Sequence, residues 1–206
     1  MSGLVVSSAD TSPSLAAIVA AVDTDFEEYR RQTSPEGMVT IVFTDLESST
    51  EMLEVLGEDR WLEVMLAHSR ILRDCVADHG GAVAESQGDG YMLTFASASA
   101  ALAFAVDLQQ TLERRNATNP GSPLRIRIGM HTGNIFQSGD DVLGRAVILA
   151  ARITGHARGG EILVSAACRD YTQRLGRWSY GQPVELALKG LASAERVYAL
   201  DWAGSN

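Results

Sequence analysis

The stretch Val39-Thr40-Ile41-Val42-Phe43-Thr44-Asp45-Leu46-Glu47-Ser48-Ser49-Thr50 runs from an apolar, β-branched strand into an aspartate followed by small polar residues. A second aspartate stands in Gly88-Asp89-Gly90, just before the strand-like run Tyr91-Met92-Leu93-Thr94-Phe95. An aspartate at a strand end is commonly a turn residue. Two such carboxylates beside small residues also suit a divalent cation and phosphate groups. Hard cations such as Mg²⁺ take oxygen ligands, and often use one or two carboxylates together with substrate phosphates.

Around these aspartates the chain alternates strand and helix signals. Met38–Thr44 reads as a strand, followed by helical patterns over Leu46–Leu56 and Arg60–His79 that are punctuated by Gly57 and Gly80-Gly81. Ala82–Ser86 and Tyr91–Phe95 read as a hairpin turning at Gly88-Asp89-Gly90. Ser99–Arg115 carries an apolar face from Leu102, Val106 and Leu112, and Leu124–Thr132 alternates as a strand should. Leu143–His156 reads as helix, Glu161–Ser165 as strand, and the C-terminal third as strand-rich. The order predicts one α+β domain with helices on one face of a mostly antiparallel sheet. Residues 38–202 form that domain and 203–206 a tail. Residues 1–37 comprise a small, polar, disordered start and a short amphipathic helix. Ser12-Pro13 gives this helix an N-cap and a first-turn proline, and Leu15, Ile18, Val19, Val22 and Phe26 give it an apolar face.

Bulk composition narrows the function classes. The chain has 206 residues, 46% hydrophobic and 21% charged, enough for one ordinary core. Its net charge of −9 argues against nonspecific nucleic-acid binding and against anionic membrane surfaces. An RNA-binding role is further opposed by the lack of an aromatic-rich reading strand. A nucleotide substrate remains compatible, because metal ions can supply the positive charge. No apolar run is long enough to span a membrane, and no basic segment followed by an apolar stretch marks a signal peptide, which predicts a cytosolic protein. Cys75 and Cys168 lack a CxxC spacing and read as buried free thiols. His131 and His156 lack carboxylate or cysteine partners at metal spacing and read as structural.

Five segments in order resemble the class III nucleotidyl cyclase catalytic domain, the adenylate and guanylate cyclase homology domain. They are Phe43-Thr44-Asp45-Leu46-Glu47-Ser48-Ser49-Thr50; Gly88-Asp89-Gly90 with Phe95; Arg127-Ile128-Gly129-Met130-His131-Thr132-Gly133; Gly144-Arg145-Ala146-Val147 with Ala150-Ala151-Arg152; and Leu188-Lys189-Gly190. The resemblance implies a ferredoxin-like antiparallel sheet with flanking helices. It also implies a head-to-tail homodimer whose two active sites are each shared between chains. Asp45 and Asp89 match the aspartates that hold two Mg²⁺ or Mn²⁺ ions. Arg127 matches an arginine on the triphosphate, and Lys189 a lysine on the terminal phosphates from the other subunit. Arg152 matches the arginine that stabilises the transition state. Ser48 and Ser49 lie where backbone N–H groups at a helix start would face phosphates. The implied reaction turns a nucleoside triphosphate into its 3′,5′-cyclic monophosphate and pyrophosphate for intracellular signalling.

Three positions depart from the pattern. Glu85 stands where adenylate cyclases carry lysine and guanylate cyclases glutamate; a carboxylate suits the N1–H and N2–H₂ donors of guanine. Asp141 stands at the second base-reading position and is the adenylate choice, accepting from the adenine amine. Ile148 replaces the asparagine four residues before the transition-state arginine and cannot hydrogen-bond the ribose. The expectation is therefore a cyclase with a mixed base code and reduced activity. The alternative is a degenerate cyclase-like module that binds nucleotide or a partner and regulates something else.

Overall fold

The computed structural model describes residues 13–21, 37–134, 141–187 and 194–204, with the backbone alone at 20–21, 134 and 141–144. Helix α1 (Pro13–Ala21) precedes strand β1 (Met38–Leu46). Helices α2 (Ser49–Leu56) and α3 (Glu58–Asp78), strands β2 (Ala82–Gln87) and β3 (Gly90–Phe95) and helix α4 (Ala98–Thr118) follow. Then come β4 (Ile126–Asn134), α5 (Asp141–His156), β5 (Ile162–Ser165), α6 (Ala166–Gln173), β6 (Ser179–Tyr180), β7 (Val184–Leu186) and β8 (Glu195–Asp201). The sheet order is β2-β3-β1-β4-β5-β8-β6, with β7 also paired to β8. Every pairing is antiparallel except β4 with β5. The expected mixed α+β fold with a mostly antiparallel sheet and flanking helices is therefore observed.

Central strand β1 is buried from Val39 to Leu46. Such a strand must be apolar towards both sides, and alternate residues enter different cores. Val42 and Leu46 join β3, β4 and β5 residues beneath α3, α4 and α6, where Phe95 and Phe104 stack with ring centroids 5.2 Å apart. Val39, Ile41 and Phe43 face the other way, under Leu15 and Ile18 of α1 and Ala146, Val147, Ala150 and Ala151 of α5. Helices thus cover both faces, not one as the element order suggests. Leu15 and Ile18 bear out part of the apolar face expected of the first helix; Ser12, Val22 and Phe26 lie outside the described residues. The C-terminal third is strand-rich as expected, with β6, β7 and β8, and it also includes helix α6.

One glycine sets how closely α5 approaches the sheet. A Cβ on Gly129 of β4 would lie 2.3 Å from the backbone nitrogen of Thr154. Thr154 itself is fully buried and donates to the carbonyl of Ala150 at 2.9 Å. The hairpin turn is tight as well: Gly88 has φ 60°, a left-handed conformation that L side chains rarely adopt. Cys75 and Cys168 are buried free thiols, as expected.

His68 on α3 is a buried polar residue with no hydrogen-bond partner for either ring nitrogen among the described residues. Its ring meets Tyr91 edge-on at 5.7 Å. Burial pushes its pKa down to about 4, against a partial opposing pull from the Asp89 carboxylate. The unfolded chain takes up this proton near the ordinary histidine value of about 6.5, while the folded chain resists until about 4. Stability therefore falls as pH drops through that window. His68→Leu removes the effect: its stability gain over the parent, measured by urea unfolding, widens by about 2 kcal/mol between pH 7.5 and 5.0. Parallel pH profiles for the two proteins would refute this origin.

Candidate active site

Asp45 is the penultimate residue of β1, and the strand alternation turns it to the α1/α5 face with Ile41 and Phe43. Its cross-strand neighbour on β4 is Arg127. The guanidinium closes on one carboxylate oxygen, Oδ2, through Nε at 2.8 Å and Nη2 at 2.5 Å. Asp45 is 1% exposed and Arg127 22% exposed, so the pair bridges the interior and the surface. A buried carboxylate needs such a partner, because removing it from water costs several kcal/mol.

Asp89 occupies the β2–β3 turn and is 6% exposed. The β1/β3 register ends at Thr44 opposite Tyr91. Asp45 and Asp89 therefore sit at the same end of neighbouring strands, each one or two residues beyond that pair. Asp89 Oδ1 accepts a hydrogen bond from the Ser14 hydroxyl of α1 at 2.6 Å. Among the described residues no cluster of three or more His, Cys, Asp or Glu side chains could hold a metal by itself. Two carboxylates at one strand end fit a hard cation only if other oxygens complete its shell. Substrate phosphates are the oxygens such sites usually recruit.

The segment after Asp45 is held by Glu47. Its amide donates to the Arg125 carbonyl at 2.8 Å, and its carboxylate accepts from the Gly159 amide at 2.8 Å. Arg125 adds an ion pair at 3.2 Å. Ser48 then takes the left-handed conformation, φ 57°, the sole non-glycine with positive φ among the described residues. Ser49 opens α2, and Ser48 provides no side-chain cap. This corner turns the chain away from the sheet directly beyond the carboxylate.

Glu85 reaches the same face through a break in β2. The β2/β3 register shifts between Val83 and Glu85, so Glu85 sits opposite Met92, whose side chain is under α1 and α5. Strict alternation from Val83 would have sent Glu85 to the α3/α4 side. On α5, Ile148 and Arg152 are one turn apart and line a cavity of about 250 Å³ with Ala16, Val19 and Ala151. The Arg152 Nη1 atom is buried there with no hydrogen-bond partner among the described residues. Asp141 opens α5, but its side chain lies outside the described residues, as does Lys189 altogether.

The structure thus collects Asp45, Asp89, Arg127, Glu85, Ile148 and Arg152 on one side of the sheet. Two further residues bear on the site. Ser14 contacts Asp89 from 75 positions away, and no local pattern announces that pairing. Glu47 is visible in the motif, but its partner Gly159 is 112 residues distant. The His131 Nδ1 atom and the Ser165 hydroxyl share a hydrogen bond of 2.9 Å.

A sheet of this topology with paired strand-end carboxylates defines a nucleotide-cyclase type of α+β domain. The chain belongs to the adenylate and guanylate cyclase catalytic domain family, whose model matches residues 31–201. An uncharacterized protein of Mycobacterium tuberculosis is 33% identical over 139 residues, covering 66% of this chain and 45% of that protein. An adenylate cyclase of Mycosarcoma maydis is 31% identical over 160 residues, covering 66% of this chain but 6% of that enzyme. The chain spans less than half the length of these relatives. Among solved structures, adenylate cyclases from Trypanosoma brucei in their monomeric state superimpose with a TM-score of 0.72 at 24% identity. That match covers 89% of this chain and 96% of theirs.

The Asp45–Arg127 pair is testable without any substrate. Arg127→Ala should destabilise the fold by about 3 kcal/mol, because it strips a buried carboxylate of its guanidinium. Asp45→Asn in the Arg127→Ala background should recover more than half of that loss in urea unfolding. Additive costs in the double variant would show that the two side chains act independently.

Proposed function

We propose that the chain is a nucleotidyl cyclase acting as a homodimer with sites shared across the interface. The substrate is a nucleoside triphosphate, and the products are the 3′,5′-cyclic monophosphate and pyrophosphate. The observation that carries this reading is the convergence of Asp45, Asp89 and Arg127 at one end of β1, β3 and β4. Asp45 and Asp89 would hold Mg²⁺ or Mn²⁺, which supplies Lewis-acid charge to the phosphates and to the attacking hydroxyl when bound. The reaction forms a bond between the ribose 3′-oxygen and the α-phosphorus, breaks the bond to the pyrophosphate, and releases the hydroxyl proton.

Each residue's part follows from its chemistry. Arg127 would bind the triphosphate, because its fork geometry suits phosphate oxygens as well as the Asp45 carboxylate. Lys189 of one protomer binds the terminal phosphates in the site of the other. Ser48 and Ser49 present backbone N–H groups at the start of α2 to a phosphate. Arg152 meets the charge that develops on the transferring phosphoryl oxygens, a kind of contact worth about 10²–10³ in rate. Ile148 beside it offers no hydrogen bond to the ribose, which lowers turnover. Glu85 and Asp141 read the base, and their mixed character gives weak activity with both ATP and GTP, leaning to GTP.

The apolar Ile148 favours a second reading, a nucleotide-binding regulatory module without turnover. Purified protein with Mn²⁺ and ATP or GTP, with products identified by mass, separates the two. Cyclic product is expected from the parent chain and none from Asp89→Ala or Lys189→Ala alone. Mixing those two inactive chains should restore activity, since each heterodimer contains one undamaged site. Demonstrated heterodimers without recovery would refute the shared site, and absence of product from the parent would favour the module.

Base choice has its own test. A carboxylate facing adenine N1 sets acceptor against acceptor, a mismatch of about 1–3 kcal/mol or roughly 5- to 150-fold. Glu85→Lys should therefore shift kcat/KM towards ATP by at least about tenfold relative to GTP. An unchanged ATP/GTP ratio would show that Glu85 does not touch the base.

A further inference from the structure

Helix α1 lies across the surface that the proposed site needs. Three contacts establish this. Ser14 donates to Asp89 Oδ1 at 2.6 Å and so occupies an oxygen that a cation would use. Leu15 and Ile18 are 0% and 1% exposed, seated with Ile41, Phe43 and Met92 beside the α5 residues Ala146, Val147, Ala150 and Ala151. Ala16 and Val19 close the cavity into which Ile148 and Arg152 face.

Arg152 is half-buried, and its Nη1 is buried with no hydrogen-bond partner among the described residues, in a cavity that Ala16 and Val19 of α1 also line. A buried N–H left without a partner is unfavourable, and α1 contributes only aliphatic side chains to that cavity. The cover is also slight. Helix α1 has nine residues, with no acidic residue in its first turn and no basic residue in its last. A helix this short is marginal unless its apolar face is docked.

We infer that α1 is an autoinhibitory strap: its docked state caps Asp89, closes the cavity that Arg152 lines and blocks the face through which a second copy of the chain completes the site. This rests on the shared-site reading above. Asp45 on β1, Arg127 on β4 and Arg152 on α5 lie on the α1/α5 side, so a second copy must approach there. Docking of α1 and self-association are then mutually exclusive. The chain is held closed until something competes for the apolar face of α1 or for Ser14.

Two full-length variants test the strap in opposite directions. Ile18→Glu places a charge in the docked face and releases the helix. Ser14→Cys with Gly90→Cys locks it, since a Cβ at Gly90 would lie 3.0 Å from the Ser14 Cβ. A small shift brings that separation to the value of about 3.8 Å that disulfides prefer. Cys75 and Cys168 are buried and do not compete for the bond. The readouts are hydrogen exchange of residues 13–21, self-association by sedimentation equilibrium, and turnover with Mn²⁺.

Ile18→Glu is expected to accelerate exchange in residues 13–21, tighten self-association about tenfold and raise turnover, because the competent fraction rises. The oxidised double-cysteine protein is expected to stay monomeric and inactive, and dithiothreitol to restore both association and activity. Equal association and turnover in its oxidised and reduced forms would overturn the strap while leaving the cyclase reading intact. Association that follows the lock in a protein that never turns over would uphold the strap and overturn the cyclase reading. A folded Ile18→Glu protein with a released helix but unchanged or weaker association would likewise refute the strap.

Discussion

The site is organised by a carboxylate that has no water to rely on. Asp45 lies on the central strand, 1% exposed, and Arg127 reaches across from β4 to pair with it there. Coulomb attraction at a partly buried position exceeds that of a surface pair, but so does the cost of losing the partner. The pairing therefore ties the β1/β4 register to the charge state of the site. A one-residue slip of either strand would turn its side chain to the opposite face of the sheet and break the pair. Charge pairing and sheet geometry are in this sense one constraint: whatever displaces Arg127 from Asp45 must replace its positive charge.

The corner after Asp45 makes that constraint usable. Glu47 fixes the exit of β1 to the turn at Gly159 through an amide hydrogen bond and an ion pair with Arg125. Ser48 accepts a left-handed backbone so that α2 can begin at once. Gly129 meanwhile admits Thr154 against the sheet, which sets the height of α5 and hence of Ile148 and Arg152 above it. The candidate side chains on a strand end, a turn and a helix are thus placed by the polar ties of Glu47 together with the close packing at Gly129.

Much of this was legible before any coordinates. The run Met38–Thr44, the hairpin around Gly88-Asp89-Gly90 and the long helices are strongly periodic segments with clear punctuation, and they appear close to where the periodicity puts them, although β1 runs on to Leu46 and the next helix starts only at Ser49. Helix α6 was not legible: Ala166–Gln173 is short and mostly polar, burying only Cys168 and Thr172. Its helical state depends on docking and on the Ser165 side chain, which accepts from the Cys168 amide. The facing of Glu85 was hidden for another reason, since a register shift inverts the alternation that sequence reading relies on. The contact of Ser14 with Asp89 joins segments 75 residues apart, and no local pattern encodes it. Among the named site residues, Asp141 and Lys189 lie where side-chain geometry is not described.

The same irregularity in β2 also governs how the molecule behaves in a crowd. β2 is an edge strand, and a straight edge offers a row of free amide and carbonyl groups to any passing chain. The shift between Val83 and Glu85 interrupts that row and puts a charged residue just past the break. Deleting the extra residue there would lengthen the regular edge while leaving Glu85 opposite Met92, on the face it already occupies. The protein would then offer a template on which strands of neighbouring molecules could align. The single extra residue thus acts on the edge of the sheet and not on the facing of Glu85.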